Sequence, residues 1–376
     1  MIKLFKPIYP NKKEILEKIE EILDSGWIIN GKYTEKFEEE ICKYLGCKNA
    51  VLVNSGTAAL HLAVRNVFNQ DKGKYVLTTP NTFIATNFAL LYEGFAPQFV
   101  DIDKYGNIDL DEVDYWCKTL HNSLAGIMVV HYSGMPVDIN KLNEISKKYD
   151  VPVIEDCAHA FSAVYNNGLK VGNSNNTCCF SLFAVKPMHV GEGGIITTND
   201  NKLAEKARQQ SWFNINRNTY QRSTAKSYNW DYNVLGIGNK YNYNEIFAAI
   251  GLNQIKYANK QWMDRKNIAI DYYLNLNGIG DIIVNKPNSY CSFHFWPIFT
   301  KRRNELHDYL KEKGIESGMH YKMNYNYSLF GNHENLPNAD KFERTELTLP
   351  IGSHLTDKDL EYIVETIKEF YKGNKK

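Results

Sequence analysis

The sequence predicts an α/β protein with a largely parallel sheet, helices on both faces of that sheet, and a smaller α+β domain at the C-terminal end. Between residues 50 and 156, short apolar runs alternate with amphipathic segments, and this alternation is typical of parallel sheets. From about Asp281 the order changes to short strands with two helices. Because 376 residues exceed a typical single core, we predict a large domain over residues 1–255, with an N-terminal helical segment, and a small domain over residues 256–376 that includes the linking helix.

The charge balance excludes a strong global electrostatic field. Forty-four basic and forty-three acidic residues give a net charge of +1, so we expect no nucleic-acid partner and no attraction to an anionic membrane. The start of the chain has no sustained apolar region, and no later stretch has the apolar length that spans a bilayer. We therefore expect a protein that is neither exported by a cleavable signal nor membrane-spanning.

The cysteines indicate a reducing compartment. They are odd in number and form no C-x-x-C pair, which argues against a disulfide framework and against a zinc site. The expected location is the cytoplasm, and no bound metal is expected. The seven are Cys42, Cys47, Cys117, Cys157, Cys178, Cys179 and Cys291.

The first two predicted helices enclose a loop that carries a tryptophan. Apolar residues at helical spacing predict a helix from Lys12 to Leu23, and the Asp-Ser-Gly sequence that follows ends it. Trp27 comes next, before Thr34 opens a second helix. Trp27 is a candidate substrate wall, and a surface connector with a packed tryptophan explains it equally well.

A candidate phosphate site follows the first strand, which we predict from Ala50 to Val53. The strand leads directly into Ser55, Gly56 and Thr57 at the start of an alanine-rich helix. Free N–H groups, two hydroxyls and the helix dipole at such a junction favour a phosphate. A simple helix N-cap is the alternative explanation for Ser55.

Phe83 follows the next predicted strand, Tyr75 to Thr78. Ligands of open α/β sheets bind at the carboxyl ends of the strands, so this aromatic ring could stack on a planar ligand. A core phenylalanine is the alternative. Two more strands, Ala96 to Val100 and Ala125 to Val130, continue the alternation.

The stretch from residue 151 to 200 carries the main candidate for chemistry. Two buried strands are predicted, Val151 to Ile154 and Cys178 to Val185, and each delivers a charged residue at its end, Asp156 and Lys186. Pyridoxal 5'-phosphate (PLP) requires a lysine for its Schiff base and an acid that keeps its ring nitrogen protonated. A buried salt bridge is the other explanation for this pair.

The remaining elements are less regular. A helix through Leu203 to Trp212 precedes a polar, aromatic segment without clear periodicity, and one continuous helix is predicted from Ile246 to Leu274. The small domain is predicted to contain a strand in its H-F-W-P-I-F run and two helices, Lys301 to Lys313 and Asp357 to Tyr371.

Eight motifs in the same order resemble the DegT/DnrJ/EryC1/StrS family of PLP-dependent aminotransferases. They are S-G-T-A-A-L-H-L-A, N-T-F-I-A-T, E-D-C-A-H-A, F-S-L-F-A-V-K, G-E-G-G-I-I-T-T-N-D, A-A-I-G-L-N-Q, G-I-E-S-G-M-H-Y and L-T-L-P, which start at Ser55, Asn81, Glu155, Phe180, Gly191, Ala248, Gly314 and Leu347. The resemblance covers nearly the whole chain. It implies fold type I, with a mostly parallel seven-stranded sheet in a large cofactor-binding domain.

The resemblance also implies roles for individual residues. Lys186 would be the Schiff-base lysine, Asp156 the partner of the pyridine nitrogen, Phe83 a ring-stacking residue and His159 a contact to the phenolic oxygen. Further cofactor contacts are implied for Ser55, Gly56, Thr57, Ser181 and Lys240, and substrate contacts for Trp27, His320, Tyr321 and Lys322. Lys240 would act in the site of the neighbouring subunit, so the resemblance implies a homodimer with composite active sites.

The implied reaction moves an amino group, from a donor such as L-glutamate, to a keto group of a nucleotide-linked deoxy sugar in polysaccharide biosynthesis. Lysine replaces the family's asparagine at Lys240 and its proline at Lys322. Together with Arg217 and Arg222, these lysines could hold a substrate phosphate. A small phosphorylated ketone such as dihydroxyacetone phosphate is therefore an alternative acceptor. A non-catalytic PLP-binding regulator is a further alternative, although the chain has no basic stripe of the kind that binds DNA.

Overall fold

The computed structural model describes residues 1–216, 232–331 and 336–373. Helices and strands alternate through the first two thirds of the chain. They are α1 Lys12–Ser25, α2 Lys32–Leu45, β1 Asn49–Val53, α3 Gly56–Val67, β2 Tyr75–Thr78, α4 Ala85–Tyr92, β3 Ala96–Phe99, α5 Leu110–Leu120, β4 Leu124–Val130, α6 Ile139–Tyr149, β5 Val153–Asp156, β6 Thr177–Ser181, β7 Gly194–Thr198, α7 Asn201–Ser211 and α8 Glu245–Gln254. The C-terminal part contains α9 Ala258–Leu276, β8 Ile283–Val284, β9 Pro297–Phe299, α10 Arg303–Glu312, α11 Pro337–Thr345, β10 Glu346–Thr348 and α12 Asp357–Lys372.

The large sheet has seven strands in the order β1-β7-β6-β5-β4-β2-β3. Strands β6, β5, β4, β2 and β3 pair in parallel, whereas β7 is antiparallel to both of its neighbours. The predicted mostly parallel, seven-stranded α/β fold is therefore confirmed. Helices cross over between β2, β3, β4 and β5, whereas a segment without a helix joins β5 to β6. Because these strands are parallel, their carboxyl ends meet along one edge of the sheet.

Three groups of buried side chains stabilise the molecule. One group packs α2, α5, α6 and α8 against one side of the large sheet, and a second packs α3, α4 and α7 against the other side. The third surrounds a small antiparallel sheet, β10-β9-β8, and includes residues of all four C-terminal helices. No helix in the described part of the chain combines the length and the apolar character needed to cross a bilayer.

Several predicted boundaries differ from the structure. Strand β6 ends at Ser181, whereas the apolar run predicted a strand to Val185. Leu182 is buried, but Phe183 to Val185 lie exposed or half-buried in a loop, and periodicity alone does not distinguish such an apolar loop from a strand. The predicted helix Ile246–Leu274 is two helices, α8 and α9, which a 3₁₀ turn separates. Helix α11, which the sequence analysis missed, is short and polar and has a proline in its first turn.

Candidate active site

A cavity of about 420 Å³ lies at the carboxyl edge of the large sheet, and it collects most of the predicted site residues. Strand β5 and the segments that follow β1, β2 and β6 contribute to its wall, and the C-terminal part of the chain covers one side. The predicted residues that line it are Ser55, Gly56, Thr57, Phe83, Asp156, His159, Ser181, Lys186, His320 and Tyr321.

Asp156 is the last residue of β5 and is almost completely buried. Its Oδ2 accepts a hydrogen bond from Thr86 Oγ1 at 2.7 Å, and its Oδ1 accepts one from the Ala158 N–H at 3.0 Å. Burial raises the pKa of this carboxyl group, although both hydrogen bonds and the charge of Lys186 oppose that shift. A cation placed in the cavity would stabilise the ionised form.

Lys186 lies in the loop that connects β6 to β7. Because these strands are antiparallel neighbours, the loop leaves and re-enters the sheet at the same edge, and the Leu182 N–H donates to the Gly193 carbonyl at 2.8 Å. Burial lowers the pKa of the Lys186 amine to about 8, against the opposing effect of Asp156. The amine therefore reaches its neutral, nucleophilic form near physiological pH.

The N-terminus of α3 faces the cavity beside β6. Ser55 caps the helix, since its Oγ accepts from the Ala58 N–H at 3.1 Å, and the first N–H groups of a helix have no acceptor within the helix. A Cβ added at Gly56 would lie 2.9 Å from the Ser181 Cβ, so only glycine allows this close approach. The arrangement can hold an anion by N–H groups and helix dipole.

Aromatic and imidazole rings form the other side of the cavity. His159 Nε2 lies 3.0 Å from the Tyr321 hydroxyl, whereas His159 Nδ1 is buried and has no hydrogen-bond partner in the described structure. Burial, with a contribution from Lys186, holds the pKa of His159 well below its usual value. Burial also lowers the pKa of His320 to about 4. Phe83 is 58% exposed within this open wall, which leaves its ring face available for stacking.

Three predicted site residues do not line the cavity of their own chain. Trp27 lies in the loop before α2, where its Nε1 donates to the Asn30 carbonyl at 3.4 Å. Lys240 donates to the side chain of Asn242, and its Nζ lies 4.0 Å from the centroid of the Trp212 ring. Lys322 is exposed, with Nζ 4.9 Å from the Tyr327 ring. Two further cations of the sequence analysis, Arg217 and Arg222, fall outside the described residues.

Other residues that line the cavity were not predicted as site residues, among them Thr86, Glu192, Phe5 and His294. Thr86 and Glu192 lie within motifs that it singled out, so their positions in those motifs could have indicated them. Phe5 and His294 come from distant parts of the chain and stack on each other, with ring centroids 5.4 Å apart. No local pattern marks either residue, because only the fold brings them together.

Comparison with known proteins agrees with this geometry. The model of the DegT/DnrJ/EryC1/StrS aminotransferase family matches residues 10–368. This protein belongs to that family. It is a PLP-dependent aminotransferase, as the motifs predicted.

Individual relatives match along almost their whole length. A UDP-4-amino-4,6-dideoxy-N-acetyl-beta-L-altrosamine transaminase of Campylobacter jejuni is 31% identical over 362 residues, with 94% of this chain and 93% of the relative covered. The spore coat polysaccharide biosynthesis protein SpsC of Bacillus subtilis is 29% identical, with coverage of 96% and 95%. The structure of Helicobacter pylori PseC, an aminotransferase involved in the biosynthesis of pseudoaminic acid, matches with a TM-score of 0.90 and 28% identity, and 99% of each chain is covered.

The residues around the cavity fit PLP. The cofactor presents an aldehyde, a protonated ring nitrogen and a phosphate, and the cavity offers a buried amine, a buried carboxylate and a helix N-terminus with a glycine at the point of closest approach. The unpartnered His159 Nδ1 is a further buried polar atom that a bound ligand could satisfy. Each part of the cofactor therefore has a complementary group in this cavity.

Proposed function

We propose that this aminotransferase moves an amino group, from an amino-acid donor such as L-glutamate, to a keto group of a nucleotide-linked deoxy sugar used in polysaccharide biosynthesis. The observation that supports this acceptor class is the similarity, along more than nine tenths of the chain, to a transaminase whose name specifies a UDP-linked amino sugar. The phosphorylated ketone lacks comparable support, because none of the relatives reported above is named for an acceptor of that kind.

We assign the chemical roles as follows. Lys186 would hold PLP through Nζ, and its amine would move a proton at the reacting carbon of the substrate. When bound, PLP supplies a ring that accepts the electrons of that carbon. Asp156 holds the proton on the ring nitrogen, and Thr86 orients Asp156 through the hydrogen bond to Oδ2. The start of α3, with Ser55, Gly56, Thr57 and Ser181, holds the phosphate, while Phe83 and His159 position the ring.

The acceptor class is tested by a substrate panel. Purified enzyme loaded with PLP is mixed with L-glutamate and one of several acceptors, and the 2-oxoglutarate formed is measured. We expect turnover with UDP- or dTDP-linked 4-keto-6-deoxy sugars and none with dihydroxyacetone phosphate. Turnover with the phosphorylated ketone alone would refute the proposal. The reverse reaction, run with the purified amino sugar, is the control that a lack of turnover does not come from a degraded keto-sugar preparation.

We further propose a homodimer whose active sites combine residues of both chains, located in the cytoplasm. Trp27 and Lys240 do not line the cavity of their own chain. Isolated β-bridges join Ile29 to Asn244 and Val53 to Asn242, so the segments that carry Trp27 and Lys240 lie on one side of the molecule. Large apolar side chains on this side are exposed, including Ile28 and Ile29 at 43%, and such exposure is typical of an interface.

All seven cysteines are free, which suits a reducing compartment.

Subunit complementation tests the composite site. Neither Lys186→Ala nor Lys240→Ala should be active alone, but in a mixed dimer one of the two sites contains both native lysines. Random mixing should then recover about one quarter of wild-type activity, because half of the dimers carry one intact site.

The matched control mixes Lys186→Ala with Asp156→Asn. Both residues line the same cavity of one chain, so every site in that mixture stays damaged and no recovery is expected. A Lys240→Ala enzyme with full activity of its own, or a mixture with Lys186→Ala that stays inactive, would contradict the composite site.

A further inference from the structure

A buried arginine lies beside the active site, and no carboxylate of the described residues forms an ion pair with it. Arg265 sits on the inner face of α9 and is only 6% exposed. Its Nε donates a long hydrogen bond of 3.4 Å to the Ser292 carbonyl, and its Nη2 has no hydrogen-bond partner within the described residues. The adjacent Asp264 pairs with Lys260 instead, at 2.8 Å. A buried guanidinium without a carboxylate is costly to maintain unless an anion satisfies it.

Arg265 lines a small recess, which we call the Arg265 recess. It lies between residues 5–8, the loop 184–187, helix α9 and residues 351–354. Of the described residues that line it, none is an aspartate or a glutamate, whereas Lys6, Lys186 and Arg265 are cations. A second lining residue, Ser353, also has a buried hydroxyl without a hydrogen-bond partner in the described structure. The recess thus combines cationic walls with two buried donors that need an acceptor.

The size and position of the recess restrict its occupant. Its volume of about 30 Å³ is enough for about two waters at about 10–15 Å³ each, which a single carboxylate group can replace and a nucleotide sugar cannot. It shares Phe5, Val185, Lys186 and His294 with the wall of the main cavity. An anion bound there would therefore lie next to the reactive lysine.

We propose that the Arg265 recess binds a carboxylate group of the amino-acid donor. Arginine pairs with carboxylates through two parallel hydrogen bonds, and Ser353 supplies a third donor. The donor is thus anchored in the recess, whereas the larger acceptor is held by the main cavity of about 420 Å³. This arrangement lets one reacting position beside Lys186 serve two substrates of very different size. The assignment rests on the proposed function in one respect, namely that the donor is an amino acid such as glutamate.

Substitution of Arg265 tests the inference. In Arg265→Gln, the apparent Kd for L-glutamate, measured from the spectral change of the PLP-loaded enzyme, should rise about 10- to 100-fold, the range expected for loss of a charge-assisted hydrogen bond. The KM for the keto-sugar acceptor should stay within about twofold. Lys260→Gln, an exposed cation one turn earlier on the same helix, is the matched control and should change neither constant. An unchanged glutamate Kd in a folded Arg265→Gln enzyme would overturn the proposal.

A binding measurement separates the recess from the reaction. Glutarate carries the carboxylates of glutamate but no amino group, and it should raise the Tm of the loaded wild-type enzyme, whereas its uncharged diamide should not. Arg265→Gln should abolish this shift. A shift with chloride but not with glutarate would overturn the donor assignment and identify an inorganic anion site instead. A wild-type enzyme that gives no spectral change with glutamate would refute the proposed donor, while the glutarate measurement still tests the recess.

Ser353→Ala keeps the test decisive if Arg265→Gln does not fold. This change removes an unpartnered hydroxyl, so folding should be preserved, and the glutamate Kd should rise about 3- to 10-fold, as for loss of one hydrogen bond. Unchanged glutamate affinity in Ser353→Ala, together with no glutarate shift in the wild type, would overturn the proposal.

Discussion

Lys186→Ala is expected to eliminate transamination and the visible absorbance of the PLP-loaded enzyme while the fold stays intact. The substitution removes the only amine that the described structure places in the main cavity, and with it both the covalent attachment point and the group that moves the proton. We expect the rate to fall by about 10⁴-fold or more, the upper range for a positioned acid-base group. Turnover is measured as 2-oxoglutarate formation, and folding by the far-UV circular dichroism spectrum and Tm.

Lys170→Ala provides the matched control for this change. Lys170 is also partly buried, with burial lowering its pKa, and its Nζ lies 3.3 Å from the centroid of the Tyr44 ring. It does not line the main cavity, so its loss should leave absorbance and turnover unchanged. If Lys186→Ala retained the visible band, another amine would carry the cofactor and the assignment of Lys186 would be wrong.

Asp156→Asn is expected to lower kcat by about 10²- to 10³-fold, the size of effect typical for loss of one preorganised electrostatic group. An amide is nearly isosteric with the carboxylate, so it preserves the shape of the site but no longer stabilises a protonated ring nitrogen. Thr86 can reverse its hydrogen bond, because its hydroxyl also contacts the Thr82 hydroxyl at 2.7 Å. The loss should therefore appear in kcat and in the spectrum of a protein that still folds.

The same substitution should act on stability with opposite signs in the two forms of the protein. Burial raises the folded-state pKa of Asp156, so in the cofactor-free protein this group disfavours folding increasingly as the pH rises from its unfolded-state pKa to its folded-state pKa, and fully above it. Removing the charge should raise the Tm of the cofactor-free protein at pH 7 and lower the Tm of the loaded protein.

Asp101→Asn is the control for the Asp156 predictions. Asp101 is equally buried but accepts hydrogen bonds from backbone N–H groups away from the cavity. Its loss should lower the Tm of both forms and leave kcat unchanged. Wild-type kcat in Asp156→Asn would refute the role assigned to this carboxylate.

The sequence by itself determined the fold class, and it predicted the residues that we propose for the chemistry. The alternation of apolar runs with amphipathic segments predicted the parallel sheet, because strand and helix periods are local properties of the chain. Asp156 at the end of β5 was also predicted, and the cap at Ser55 was one of two explanations offered for that residue, since each lies within a few residues of the pattern that marks it. The domain boundary at residue 255 remains a prediction.

Only the tertiary structure decided which distant residues share a surface. Strand β7 pairs antiparallel with β6, so the loop that carries Lys186 returns to the edge of the sheet where Asp156 ends β5. The sequence did not show this loop, because the apolar run predicted a longer strand there. Three other features depend in the same way on packing between separate elements. They are the contact between Phe5 and His294, the position of Trp27 and Lys240 outside their own cavity, and the Arg265 Nη2 that has no partner among the described residues. Periodicity reports whether a residue is buried, but the partner that it meets depends on how separate elements pack together.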